Sequence, residues 1–145
     1  MTAWISPFAN WASLLYRNNS GQKRIEVIED WLRRSRGWLP GLQTILPDHP
    51  RPREYERYLL GKTPELEIWL IAWGEKASTP FLEHAGEGCW SRVIQGTLFK
   101  ETCAGFSRLS QGDTTYIEGS RISYRLHTLD KAYSLQIVAA ESMNK

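Results

Sequence analysis

Histidine, cysteine and net charge are all scarce in this chain, and each scarcity removes a class of function. Two cysteines, Cys89 and Cys103, in 145 residues cannot build a disulfide framework. A net charge of +2 is too small to argue for nucleic acid or an acidic membrane surface. The clustered Arg33, Arg34 and Arg36 sit beside an amphipathic stretch and read as a solvated helix end rather than a phosphate site. No apolar run approaches the roughly 20 residues of a membrane span. The first residues lack the basic, apolar and small-residue regions of a signal peptide, so a reducing, cytoplasmic setting is expected. Three histidines, His49, His84 and His127, limit any imidazole-based site to a small set.

What remains is an ordinary globular composition, 41% hydrophobic and 23% charged, of a size that makes one domain with a real core. Seven tryptophans are many for this length; without a basic stripe beside them, they read as core or pocket-rim residues rather than a base-stacking platform. No internal repeat or low-complexity segment divides the chain. Trp4, Phe8, Trp11, Leu14 and Leu15 fall at helical spacing, and Asn18-Asn19-Ser20-Gly21 breaks the pattern. Ile25, Ile28, Trp31 and Leu32 then form a second apolar face, with Gly37 and Pro40-Gly41 expected to end that helix. Pro47, Pro50 and Pro52 mark an irregular connection.

From about residue 54 the period changes to two. Leu66, Ile68, Leu70 and Ala72 alternate with Glu65, Glu67, Trp69 and Ile71, the pattern of a half-buried strand. Further short strands are expected near 54–60, 80–85, 89–95, 97–103, 114–118, 121–127 and 132–139, with Gly74, Gly86, Gly88, Gly96, Gly112 and Gly119 at the turns. The expected architecture is mainly β: a helical lead over residues 1–50, then an antiparallel sandwich or barrel over 51–145, in one domain.

The order of certain residues carries a resemblance. Trp73-Gly74 is followed by Leu82-Glu83-His84, then by Cys89 five residues after the histidine, then by Gly96 and a Leu-Phe-Lys-Glu strand; Tyr116-Ile117 and Leu126-His127 come later. This resembles the cysteine dioxygenase (thiol dioxygenase) family of the cupin superfamily, over roughly residues 50 to 140. That family's motif runs Trp-Gly, His-x-His, a Cys five residues on, then Gly, with a third His after a Leu near the penultimate strand. The resemblance implies a cupin-type antiparallel barrel (a double-stranded β-helix or jelly roll) holding Fe(II) and oxidising cysteine or a related small thiol carboxylate. It matches His84 and His127 to two metal ligands and Cys89 to the motif cysteine. Tyr55-Glu56-Arg57 is similar to the family's Tyr-x-Arg segment, whose guanidinium holds a carboxylate with its planar fork.

The chain departs from that pattern at three positions. Leu82 stands where the first imidazole is expected, and a nonpolar side chain supplies no lone pair to iron. In the last strand the family pattern Ser-x-His-x-Tyr becomes Ser134-Leu135-Gln136-Ile137-Val138, so Ser134 is kept while Gln136 and Val138 replace the His and the Tyr. In some members that Tyr bonds to the cysteine matched by Cys89; Val138 cannot, which leaves Cys89 a reduced thiol facing the pocket unless another aromatic approaches it. Glu83 alternates away from His84, and Glu87 or Glu101 could replace the lost ligand only if a turn or bulge redirected it. Three functions stay open. One is a divergent iron oxygenase, with Cys89, Ser134 and Gln136 lining the reacting centre and Tyr55 and Arg57 holding substrate. The second is a cupin that binds a small carboxylate without metal, and the third is a partner-binding domain using its Trp-rich helices.

Overall fold

The computed structural model describes residues 2–79, 88–117 and 124–139. Three helices, α1 (Ile5–Asn18), α2 (Gly21–Arg34) and α3 (Leu39–Gln43), precede eight strands. These are β1 (Tyr55–Lys62), β2 (Leu66–Trp73), β3 (Cys89–Gln95), β4 (Leu98–Thr102), β5 (Gly105–Leu109), β6 (Thr114–Ile117), β7 (Tyr124–His127) and β8 (Ala132–Ala139). They form a five-stranded sheet in the order β1-β2-β8-β3-β6 and a three-stranded sheet in the order β5-β4-β7, with every named pairing antiparallel. Residues 77–79 run beside β7: the Thr79 N–H donates to the Leu126 carbonyl at 2.9 Å, and the Leu126 N–H to Thr79 Oγ1 at 3.0 Å. A helical lead before an antiparallel barrel is the architecture the period change implied.

Both long helices form for the reasons their spacing gives. Phe8, Ala9, Ala12 and Tyr16 bury one face of α1, and Ile28 and Leu32 bury the matching face of α2. Arg24 fastens the turn between them. Its guanidinium lies 3.7 Å over the Tyr16 ring, and its Nε donates to the carbonyls of Tyr16 and Asn19, both at 2.9 Å. Arg33 and Arg34 occupy the last turn of α2, where cations oppose the helix dipole, and both pair with Asp30. α2 ends earlier than Gly37, and Pro40 opens α3 rather than closing α2. The first turn of a helix needs no N–H from that residue, so proline fits there.

The strand at 66–73 corrects the expectation of a half-buried strand: apart from Trp69, all its residues are buried, on both faces. The two faces belong to different cores. Leu66, Ile68, Leu70 and Ala72 join Trp90, Leu135 and Ile137 under α1 and α2. Ile71 and Trp73 point the other way and meet Cys89, Val93, Leu98, Ile117, Tyr124, Leu126, Ala132 and Val138 between the sheets. The five-stranded sheet is therefore a partition, with helices on one side and the barrel interior on the other.

Two strand side chains clamp the helices to that partition. Trp90 Nε1 donates to the Ile25 carbonyl at 3.0 Å. Arg92 Nη1 donates to the carbonyls of Leu32 and Ser35, both at 2.7 Å, and so satisfies the C-terminal end of α2 from a strand. At the outer edge of the helices, Trp4, Phe8, Trp11, Trp31 and Trp38 border a groove of about 510 Å³, and Trp11 is 51% exposed. Among the described residues no helix is long and apolar enough to cross a membrane.

Candidate functional site in the barrel interior

Strand parity assigns the interior side chains, because alternate residues of a strand face the same way. On β3 the inward set is Cys89, Ser91 and Val93; on β8 it is Ala132, Ser134, Gln136 and Val138. On β2 it is Glu67, Trp69, Ile71 and Trp73; on the edge strand β1, Tyr55, Arg57 and Leu59 share that face, paired with Trp73, Ile71 and Trp69, but Arg57 and Leu59 are exposed. Thr115 and Ile117 face in from β6, and Leu98 and Lys100 from β4. Tyr124 and Leu126 face in from β7.

Five of the residues singled out in the sequence meet in this interior. Tyr55 packs its ring 5.3 Å from that of Trp73, and the Arg57 guanidinium lies 4.3 Å over the Trp69 ring. Trp73 Nε1 donates to Ser134 Oγ at 3.0 Å, which uses that hydroxyl to fix the Trp-Gly segment. Gln136 is buried opposite Ser91, and Cys89 is fully buried opposite Val138. His84 and Leu82, with Glu83 and Glu87, lie outside the described residues.

His127 is not among the interior residues. It pairs with Phe99 on the opposite face of the small sheet, with ring centroids 5.4 Å from Phe99 and 5.7 Å from Phe106. The reason is arithmetic: His127 stands three residues from Tyr124 and one from Leu126, odd offsets that turn its side chain outward. Glu101 shares that outer face, where Arg125 Nε donates to its carboxylate at 3.1 Å and Nη2 at 2.5 Å; it cannot replace a lost ligand inside. His49 lies on the helical side of the sheet, its Nδ1 3.0 Å from the Trp73 carbonyl and its ring 4.2 Å from that of Tyr133. Among the described residues no group of three His, Cys, Asp or Glu could hold a metal ion. The described donors therefore do not fit an iron site built on His127.

The sequence reading missed four interior polar residues: Tyr124, Lys100, Ser91 and Thr115. Tyr124 hydrogen-bonds the Cys89 thiol, so an aromatic hydroxyl does approach this cysteine, but from β7 rather than from position 138. Burial pushes the Cys89 thiol up to about 12, against the opposing charges of Arg57 and Lys100 and the Tyr124 hydrogen bond. Burial likewise raises the Tyr124 phenol, with Cys89 adding to the effect and Arg57 opposing it. Lys100 is held below its usual value by desolvation, while Glu29 on α2 and Cys89 act the other way. Both cations thus lie within electrostatic range of one thiol. Alternation was the available signal, since Lys100 follows Leu98 by two and Tyr124 precedes Leu126 by two.

The two thiols should separate cleanly in labelling. Cys103 is exposed and Cys89 is fully buried with its thiolate suppressed. A maleimide is expected to modify one cysteine in the folded protein, Cys103, and none in Cys103→Ser until denaturant is added. Raising the pH to about 9, just above an ordinary thiol's value of about 8.5, should not recruit Cys89. Rapid modification of Cys89 in the native state, read by peptide mass, would contradict this burial.

Neither a family model nor a curated protein matches the sequence. Solved structures do match the fold. A cupin superfamily protein from Desulfitobacterium hafniense DCB-2 aligns with a TM-score of 0.57 at 15% identity, over 63% of this chain and 83% of that one. KdgF from Halomonas sp. aligns at 0.55 and 19%, over 59% and 79%. An RmlC-like cupin from Shewanella frigidimarina NCIMB 400 aligns at 0.56 and 14%, over 66% and 85%. At these identities the likeness establishes a cupin-type β-barrel and nothing finer.

Proposed function

We propose that this cupin-fold chain uses its barrel interior to bind a small carboxylate, anchored by Arg57, and does not run a three-histidine iron reaction. The observation that carries this reading is the state of Arg57. Arg57 is exposed on the edge strand β1, on the barrel-facing side; its guanidinium is stacked on Trp69, and no carboxylate of the described residues pairs with it. A stacked guanidinium suits a planar anion, because stacking holds the fork without consuming its N–H donors. The outward turn of His127 supports the metal-free form of the reading.

A second reading rests on Tyr55, Arg57 and Cys89 sharing one chamber. It is an oxygenase of a small thiol carboxylate whose Fe(II) would depend on His84 and on ligands other than His127. Both readings place the ligand carboxylate on Arg57, and they part at the metal.

Calorimetric titration with propionate and 3-mercaptopropionate, alongside iron analysis after anaerobic reconstitution, separates them. The expected result is carboxylate binding without iron. Arg57→Met should weaken it at least tenfold, the size of about 1.4 kcal/mol and the low end for a charged hydrogen bond. His127→Ala should leave it unchanged. Stoichiometric iron with thiol-dependent oxygen uptake would favour the oxygenase. Failure of either carboxylate to bind would remove the Arg57 anchor.

A further inference from the structure

We infer that the barrel interior takes a ligand with two anionic groups, one carboxylate on Arg57 and a second on a cradle made by Lys100, Thr115 and Ser91. The inference rests on the small-carboxylate reading and adds the ligand's second end. Lys100 projects inward from β4 and donates from Nζ to Thr115 Oγ1 at 2.9 Å. Thr115 pairs in register with Ser91, and Ser91 pairs on its other side with Gln136. Ser91 is 2% exposed, and its Oγ has no hydrogen-bond partner among the described residues. A buried hydroxyl without a partner is costly, and this one is in register with Thr115, the residue that the Lys100 ammonium bonds.

Charge points the same way. Among the described residues no carboxylate stands within 4.0 Å of either Lys100 or Arg57. Glu67, the inward carboxylate on β2, is engaged by Lys62 at 3.5 Å and by Trp69 Nε1 at 3.1 Å. Glu29 acts on Lys100 from α2 without forming an ion pair. Lys100 also borders a groove of about 480 Å³ that is lined mainly by the β4–β5 hairpin, Thr102 to Ser107, with Tyr116 and Ile117. Two cations on the barrel-facing side, neither paired with a carboxylate among the described residues, favour a doubly negative guest.

Register sets the length of that guest. The Arg57 guanidinium sits over Trp69, and Trp69, Gln136 and Ser91 lie in one row across β2, β8 and β3. Two strand spacings of about 4.8 Å separate Trp69 from Ser91, on the order of 10 Å. Taking away a charge-assisted hydrogen bond of about 2.8 Å at each end leaves about 4–5 Å between the anionic groups. A four- or five-carbon dicarboxylate has that span.

Calorimetry on the full chain with succinate and glutarate, against butyrate and valerate of the same lengths, tests this. The dicarboxylates should bind at least tenfold more tightly. Lys100→Met should lose that preference, and Lys100→Gln, which can still hydrogen-bond Thr115, should lose it too while protecting the fold. Ser91→Ala should weaken dicarboxylate binding without lowering the melting temperature of the unliganded protein, a result that a purely structural serine would not give. Equal affinity for mono- and dicarboxylates, or a preference that survives in both Lys100 variants, overturns the second end and leaves the Arg57 anchor standing. Absence of binding by all four acids overturns both.

Discussion

Gly74→Ala is expected to destabilise the protein by about 3 kcal/mol, the upper part of the usual range for overpacking. A Cβ at Gly74 would lie 2.2 Å from the Arg51 carbonyl oxygen and 3.0 Å from that of Glu54. Both are backbone atoms, so no side chain can swing aside. The backbone around Gly74 is also held from several directions. Its N–H donates to the Glu54 carbonyl at 2.9 Å, and its carbonyl accepts from Thr128 Oγ1 at 2.8 Å. Relief would require moving residues 51–54, which lead directly into β1 and set the positions of Tyr55 and Arg57. Urea unfolding followed by circular dichroism would measure the loss. A change below about 0.5 kcal/mol, the range of neutral surface substitutions, would show that this close approach does not constrain the chain. The glycine of the Trp-Gly motif thus has a packing reason of its own, independent of any metal chemistry.

Trp90→Ala should cost more, about 3–5 kcal/mol, as for other large aromatic deletions from a core. Trp90 is fully buried, lies 5.0 Å from the Tyr116 ring and bonds the Ile25 carbonyl of α2. Its removal opens a cavity where the helices meet the five-stranded sheet and releases one of the two clamps between them. Trp90→Phe separates the contributions. It keeps most of the volume and loses the indole hydrogen bond, whose net worth is about 1 kcal/mol. The alanine variant should therefore be much the weaker of the two by denaturant midpoint. Similar midpoints for both would assign the effect to the hydrogen bond rather than to packing.

Much of the fold was legible because its signals were local and periodic. The apolar positions of α1 and α2, the alternation at 66–73 and the glycines between strands all report backbone geometry directly. β5 escaped notice because four of its five residues are exposed and its sequence, Gly-Phe-Ser-Arg-Leu, has little apolar alternation to read. α3 has no clear signature because Pro40 reads as a stop, although proline also opens helices. The strand positions of the candidate residues were legible in part. Tyr55, Arg57, Cys89, Ser134 and Gln136 lie on inward positions of strands whose bounds were anticipated closely. His127 was not correctly placed, since a motif match by residue type carries no parity and an odd offset from Tyr124 reverses the face. Lys100 was passed over because a lysine on a strand ordinarily faces water, and only the closure of the two sheets puts this one inside.

The two-sided five-stranded sheet also bears on how such a chain can diverge. Along β8 the odd-numbered residues Tyr133, Leu135, Ile137 and Ala139 answer to the helices, and the even-numbered Ala132, Ser134, Gln136 and Val138 answer to the chamber. Selection on folding and selection on chemistry thus act on interleaved but separate letters of one eight-residue word. Chamber-facing letters such as Gln136 and Val138 can change without disturbing the apolar letters between them. A lineage built this way can exchange one guest for another without relearning how to fold.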